Sequence, residues 1–213
     1  MRAAPHLVIG VSTDGQIAAI GHEVPDGLAL ELQAAVVGAA LSPPATAPAS
    51  IARCKHLLKN AVGPVVLWSG PGYVIPLATA FASGAQIHRS DGEDTEALRN
   101  RLAKGSDWSV KDWNQLLDGS FGPWAVATVG GQVIAICHCA RLTDHAAEAG
   151  VWTDPDFRGQ GHAAAVTAAW SSLLAPSGRH LFYSTSAGNR SSQRVAARLH
   201  LHPIGWMWKL AAP

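Results

Sequence analysis

The chain has 213 residues, and its 16 Lys and Arg nearly balance its 15 Asp and Glu, for a net charge of +1 at pH 7. Apolar residues make up 48% and charged residues 15%, a mix that excludes an intrinsically disordered chain and leaves no basic surplus for a general nucleic-acid binder. A chain of this length buries about 70% of its unfolded surface, needs neither disulfides nor a structural metal, and makes one large domain or two small ones.

Leu7–Val11 and Gln16–Ile20 are short apolar runs around Thr13-Asp14-Gly15. They predict an N-terminal β-hairpin in which Asp-Gly supplies the positive φ of a tight turn. Asp26 is placed to cap a helix over 27–41 whose apolar side is Leu28, Leu30, Leu32, Val36 and Val37. Residues 42–50, SPPATAPAS, read as a loop and are the most linker-like stretch. Ile51–Val62 reads as a second helix. Residues 64–68 and 73–76 read as strand pieces broken by Ser69-Gly70-Pro71-Gly72. An acidic stretch with Asp91, Glu93, Asp94 and Glu96 then leads into helices at 95–104 and 109–117. Its bland reading is a solvated loop, and its functional one a lure for a cationic acceptor.

From Pro123 the pattern changes. Residues 124–129, 132–141 and 147–153 are strand-like, and Gly130-Gly131 marks a hairpin between the first two. A helix at 161–174, a strand at 180–186, a helix at 189–199 and a strand at 204–210 complete the order β-β-β-α-β-α-β. This change of pattern divides the chain into 1–120 and 121–213. No apolar run approaches the ~20 residues of a membrane span, and the five apolar-type residues after His6 are too few for a signal peptide. Three cysteines, Cys54, Cys137 and Cys139, cannot build a disulfide framework, so a cytoplasmic, reducing location is expected.

The chemistry concentrates in the stretch from Glu148 to Ala163. A strand ends near Thr153, Asp154-Pro155 turns the chain, and Arg158-Gly159-Gln160-Gly161-His162-Ala163 opens a helix. Small residues there leave backbone N–H groups uncovered at the positive end of the helix dipole, and Arg158 adds a charge. This is a diphosphate cradle. It lies in the positive part of the chain: residues 121–213 carry 7 basic and 4 acidic residues, against 9 and 11 in residues 1–120. A dinucleotide fingerprint would need G-x-G-x-x-G inside a βαβ unit, and here antiparallel-type strands precede R-G-Q-G-H-A.

Arg158-x-x-Gly161-x-Ala163 after a strand resembles motif A of the GNAT acetyltransferases, R/Q-x-x-G-x-G/A. Asn189-x-x-Ser192-x-x-x-Ala196-x-x-Leu199-His200-Leu201 resembles the family's downstream N-x-x-S-x-x-x-A-x-x-L-G-F motif. The resemblance covers about residues 121–210. It implies an α/β fold of α+β type: a mixed, mainly antiparallel GNAT sheet flanked by helices, with a helix-rich N-terminal portion. It also implies acetyl-CoA as co-substrate. Arg158, Gly159, Gln160, Gly161, His162 and Ala163 would bind its diphosphate. Val151 and Thr153 would offer backbone groups to the acetyl carbonyl and the pantetheine arm, and Asn189 and Ser192 belong to the same binding set. Glu148 stands where several members carry a general base. The tyrosine that many relatives use to protonate the leaving thiolate is missing, with Ala196 at its place. The general acid therefore stays open: water, His200 or His202, or none at all. Residues 1–120 match no pattern and are expected to supply the early part of the acceptor pocket.

Each of these residues also has a plainer reading. Glu148 could be a polar residue on a solvent face, and Asn189 a helix N-cap. On a strand, Cys137 and Cys139 face one side and His138 the other. With no second ligand pair for zinc, no metal is expected. No G-x-S-x-G elbow supports a hydrolase. The eight tryptophans are core residues first and an aromatic wall for an amine or sugar-like acceptor second. The expected function is acetyl transfer to a primary amine of a small molecule by direct attack in a ternary complex. An aminoglycoside, and with it antibiotic resistance, is one case. A protein or peptide N-acetyltransferase and a non-catalytic acyl-CoA sensor are the alternatives. No nucleic-acid or membrane partner is expected, and a homodimer is an allowed assembly.

Overall fold

The computed structural model describes residues 4–77, 79–92 and 95–213, without the side chains of Thr95 and Arg101. Glu93 and Asp94 of the acidic stretch lie outside the described residues. The chain divides into two compact units: Met1–Gly72 with Thr185–Asn189 and Pro203–Pro213, and Tyr73–Ser184 with Arg190–His202.

The first unit contains β1 (Leu7–Val11), β2 (Gln16–Ile20), α1 (Asp26–Val37), α2 (Ile51–Val62), most of β3 (Val66–Val74) and most of β9 (His202–Ala211). β1 pairs antiparallel with β2 on one side and β9 on the other. Leu7, Ile9 and Val11 alternate into a core shared with Leu32, Val36, Cys54, Leu58, Trp208 and Leu210, as the period of two requires. The hairpin forms where expected, but not by the expected turn. Gly15 does not have a positive φ; Ser12 N–H donates to Gly15 O (2.9 Å) and Asp14 N–H to Ser12 Oγ (3.1 Å). A serine side chain does locally what a left-handed backbone would otherwise do.

α1 also departs from expectation. Asp26 is its first residue and Pro25 its N-cap, with no side-chain cap. The helix stops at Val37, and Gly38 N–H returns to Ala34 O. Leu32 and Val36 are buried, whereas Leu30 and Val37 are 72% and 67% exposed. The buried stripe is one residue wide per turn, narrower than the apolar count suggested. β3 is one strand through Ser69-Gly70-Pro71-Gly72. Thr185 N–H donates to Pro71 O and Ala187 N–H to Ser69 O. A Cβ at Gly70 would stand 1.8 Å from Thr185 O, so this glycine permits a close backbone approach rather than breaking the strand.

The second unit contains β4 (Gln86–Arg89), α3 (Thr95–Arg101), α4 (Val110–Leu117), β5 (Ala125–Val129), β6 (Gln132–Leu142), β7 (Ala146–Thr153), α5 (His162–Leu174), β8 (His180–Ser184) and α6 (Arg190–Arg198). Its sheet order is β8-β7-β6-β5-β4. β4 to β7 pair antiparallel and β8 joins β7 in parallel. This is the expected mixed, mainly antiparallel sheet flanked by helices. Gly130 and Gly131 both have positive φ (57° and 81°), as a two-residue hairpin turn between β5 and β6 demands.

α5 covers one face, with Ala164, Val166, Ala168 and Trp170 against Ala125, Ala127, Ile134, Cys137 and Leu181. Leu98, Trp113, Leu116 and Leu117 of α3 and α4 cover the other, against Trp124, Val126, Val133 and Ile136. Trp124 and Trp170 are fully buried. β4 was not expected. It has only four residues, Gln-Ile-His-Arg, too short for an alternation to show, and it is held from the side: buried His88 puts Nε2 3.1 Å from Thr128 Oγ1. No described helix is long and apolar enough to cross a membrane.

Candidate active site

β7 is the strand on which the site is built. It is matched to β6 along its length, from Leu142↔Ala147 to Ala135↔Thr153. It is matched to β8 only from Ala146↔His180 to Glu148↔Phe182. Beyond Glu148 the backbone edge that faced β8 has no strand partner among the described residues, and only the Thr153 carbonyl there accepts from a side chain, Arg158 Nε at 3.4 Å. The other N–H and C=O groups on that edge need water or a ligand.

Glu148 stands at this last matched pair. Ser184 Oγ hydrogen-bonds its Oε1, and Arg141 Nη1 lies 2.5 Å from its Oε2. The glutamate side chain is 18% exposed and the arginine 60%. A bulge produces the ion pair. Cys139 is opposite Ala149, but the register then shifts and Arg141, not Ala140, faces Glu148.

Alternation along β7 sorts the next residues. Val151 packs toward the α5 face and Trp152 against the α3–α4 face, as the period predicts. Trp152 Nε1 donates to Asp107 Oδ2 at 3.2 Å. After Thr153, the Asp154 side chain accepts from Asp156 N–H and Ser106 Oγ–H, fixing a 3-10 turn at Pro155–Phe157. The chain then passes Arg158, Gly159 and Gln160, all exposed. Gly159 and Gly161 have φ of 82° and 91°, a region closed to most side chains. Gly161 is the N-cap of α5, and no side chain caps that helix.

His162 does not face outward. Its side chain is buried, with Nδ1 3.3 Å from Ser83 Oγ and Nε2 3.3 Å from Gln160 Oε1. Burial lowers its pKa. What it offers a ligand is its backbone N–H. Phe81 sits where a Cβ of residue 161 would go, 3.0 Å away.

Of the downstream motif, Ser192 Oγ is 2.5 Å from the Tyr183 hydroxyl, whose pKa burial pushes up to about 12. Tyr183 is buried and its hydroxyl is already engaged, so it offers no exposed donor. Asn189 belongs to the first unit, where its N–H donates to Ser186 O. Cys137 and Cys139 are buried, and burial raises both thiols.

Two residues were not singled out for a role from sequence. His138 faces away from its flanking cysteines, as alternation required. Its ring lies edge-on to Trp108 (5.6 Å) and tilted to Phe121 (5.5 Å), directly over Gly150. Its Nδ1 is buried without a hydrogen-bond partner, and burial holds its pKa below the usual value. Arg198 is the second: Nη2 donates to Gly159 O at 3.0 Å. A cavity of about 450 Å³ lined by Gln86, His88, Leu102 and Thr128 shares no residue with this site.

A family model described as "Acetyltransferase (GNAT) domain" matches residues 76–202. The chain belongs to the GNAT acetyltransferase family. No curated protein sequence matches the chain. Solved structures that share its fold include the following three. A Drosophila protein is 16% identical, over 99% of this chain and 75% of that one, with a TM-score of 0.56. A GCN5-related N-acetyltransferase-like protein from Streptococcus suis is 17% identical, over 97% and 84%, at 0.51. A GNAT-family acetyltransferase from Colwellia psychrerythraea is 17% identical, over 95% and 79%, at 0.51.

Acetyl-CoA binding is a property of this family, and the loop after β7 suits a diphosphate. A Cβ at Gly159 would meet nothing within 4 Å, so its approach is open. The uncapped start of α5 offers N–H donors, and Arg158 and Arg198 supply positive charge. The GNAT domain here begins at Pro76 in the family match, upstream of the 121–210 stretch in which its motifs are legible.

Proposed function

We propose that this acetyltransferase moves the acetyl group of acetyl-CoA onto a primary amine of a small molecule, by direct attack in a ternary complex. The observation that carries the reading is the release of β7 from β8 at Glu148, followed by the glycine loop at the start of α5. Acetyl-CoA supplies the activated acyl group. Arg158, Gly159, Gln160, Gly161, His162 and Ala163 hold its diphosphate through charge and backbone N–H groups. The free edge of β7 at Val151 and Thr153 receives the acyl oxygen and the pantetheine arm, and a fixed backbone donor there stabilises the oxyanion of the transition state. Glu148 takes a proton from the attacking amine, directly or through water. The departing thiolate takes its proton from solvent.

The aromatic residues Trp108, Phe121 and Trp152, with Asp107 beside Trp152, suit a cationic, sugar-like acceptor. An aminoglycoside is the class to try first. Two of these residues, Asp107 and Trp108, lie within residues 1–120, from which the sequence reading expected the early part of the acceptor pocket. A second reading of the base rests on His138. Its unpartnered Nδ1 and lowered pKa make it a neutral imidazole at pH 7, able to accept the amine proton that ion-paired Glu148 would otherwise take.

The test is thiol release from acetyl-CoA with aminoglycosides, simple amines and short peptides, on wild type, Glu148→Gln and His138→Gln. Turnover on aminoglycosides or amines that collapses in Glu148→Gln supports the first reading, and collapse only in His138→Gln the second. Turnover on peptides alone overturns the small-molecule acceptor. Tight CoA binding without turnover on any amine makes the protein an acyl-CoA sensor.

A further inference from the structure

α1 is apolar on every side. Of its 12 residues only Asp26, Glu31 and Gln33 are polar. Leu32 and Val36 face the core of the first unit. Gly27, Leu30, Ala34 and Val37 are exposed, Leu30 and Val37 at 72% and 67%. At 3.6 residues per turn these four fall on one stripe opposite the buried one, with the 3-4-3 spacing of a coiled-coil seam. α2, in the same unit, has one apolar side only: Cys54 and Leu58 are buried, and Arg53, Lys55, His56 and Lys59 are exposed. A helix that is apolar all round belongs in an environment that covers it all round, and the chain covers only one side of α1.

The outer stripe is complementary to itself. Leu30 and Ala34 are equidistant from Leu32 along the helix, and so are Gly27 and Val37. Two copies of α1 laid antiparallel about a two-fold axis level with Leu32 therefore put Leu30 of each copy beside Ala34 of the other, and Val37 of each beside Gly27 of the other. Every layer joins a large side chain to a small one, as interdigitating helices require. A Cβ on Gly27 would meet nothing within 4 Å, so the space for the valine is open. This matching order is what an isologous interface needs. Charge selects the same occupant. α1 carries Asp26 and Glu31 and no base, and α2 carries Arg53, Lys55 and Lys59 and no acid. None of the five is in an ion pair among the described residues. A strongly acidic or strongly basic surface would be repelled by one of these helices, whereas a second copy brings both signs.

We propose that the outer stripe of α1 is a self-association surface through which two copies of the chain form a two-fold dimer, with Gly27, Leu30, Ala34 and Val37 at its centre. The dimer does not depend on the acyl-transfer reading above. A helix of this length spans about 18 Å, so the α1 pair covers less than the ~1,600 Å² of a standard interface. The association is accordingly weak, with a Kd of roughly 10–100 μM.

The test is sedimentation velocity of the full chain from about 1 to about 300 μM, a range that brackets that Kd. Wild type should pass from monomer toward dimer. Leu30→Glu buries a charge in the seam of the dimer and should leave monomer throughout. Leu30→Ala leaves a gap beside Ala34 and Ala34→Leu overfills the same layer, so each should weaken the dimer about tenfold. The Leu30→Ala/Ala34→Leu double variant only exchanges large and small within that layer, and should recover wild-type affinity to within about threefold. These positions are exposed in the monomer, so the urea midpoint at low concentration should stay the same in all four variants. A wild type that stays monomeric, a dimer that survives Leu30→Glu, or a double variant no tighter than the weaker single one overturns the proposal. So does a monomeric wild type that co-sediments with phosphatidylcholine–phosphatidylglycerol vesicles while Leu30→Glu does not, which would make the stripe a membrane surface.

Discussion

The two sides of β7 are built differently. Toward β6 the ladder runs from Ala147 to Thr153, interrupted by the bulge at Ala140. Toward β8 it ends at Glu148. The first side sets register, because a one-residue slip would move Val151 and Trp152 to the wrong faces of the sheet. On the second, the Thr153 carbonyl accepts from Arg158 Nε at 3.4 Å, and no strand is matched beyond Glu148 among the described residues. One strand therefore has a side matched almost along its length and a side matched only at its start. The carboxylate of Glu148 is fixed, through Ser184 and Arg141, at the point where the shorter match ends.

The released side can serve acyl transfer only if the loop that follows holds the diphosphate. The largest effect should come from Gly161→Val. Residue 161 has φ of 91°, and its Cβ would meet the Phe81 ring at 3.0 Å. A β-branched residue is strained there on both counts. CoA affinity should fall at least about a hundredfold by calorimetry. Undiminished binding would mean that the loop is not the diphosphate site and that the open edge of β7 serves another ligand.

The next effect tests the junction itself. Glu148→Gln keeps the side chain's shape and removes its basicity, and should lower kcat/KM by about a hundredfold or more. Arg141→Ala removes the exposed partner of the pair and should cost less than about tenfold, since an exposed ion pair contributes little. Equal losses in the two variants would show that the ion pair positions the strand and that the proton leaves by another route, with His138 the candidate.

How much of this the sequence made legible follows from the range of each interaction. The β5–β6 hairpin, β7 and α5 were readable because their signals are local: Gly130-Gly131, a period of two, and small residues at the start of a helix. The glycine loop that opens α5 was readable for the same reason. β4 was not, since what holds its four residues is pairing with β5 and the His88–Thr128 contact across 40 positions. Ser69-Gly70-Pro71-Gly72 looks like a turn until Thr185 and Ala187 lie alongside it. Among the candidate site residues, Glu148 was singled out by the family resemblance, but its partner Arg141 depends on a bulge that no alternation pattern reveals. For His138, alternation gave the face. Its unpaired nitrogen depends on Trp108 and Phe121 arriving from outside the strand.

The smallest effect concerns the paired side and acts on stability. His138 sits on β6 opposite Gly150, and burial lowers its pKa from an ordinary 6.5. In the unfolded chain the imidazole takes up a proton near pH 6.5; in the folded chain it does so only at lower pH. Between the two values the unfolded state holds more protons, so stability is complete above about pH 6.5 and declines as pH falls through that window. His162, also lowered by burial, adds a contribution of the same sign. His138→Gln removes one of the two titrations. Its unfolding free energy, measured by urea between pH 5 and 8, should fall less steeply on the acid side than that of wild type. The difference in slope should not exceed that of one proton, about 1.4 kcal/mol per pH unit. An unchanged slope would mean that water reaches the imidazole and that the paired side of β7 is wetter than its aromatic cover implies. The case for His138 as a neutral base would then fall as well, because that case depends on the same desolvation.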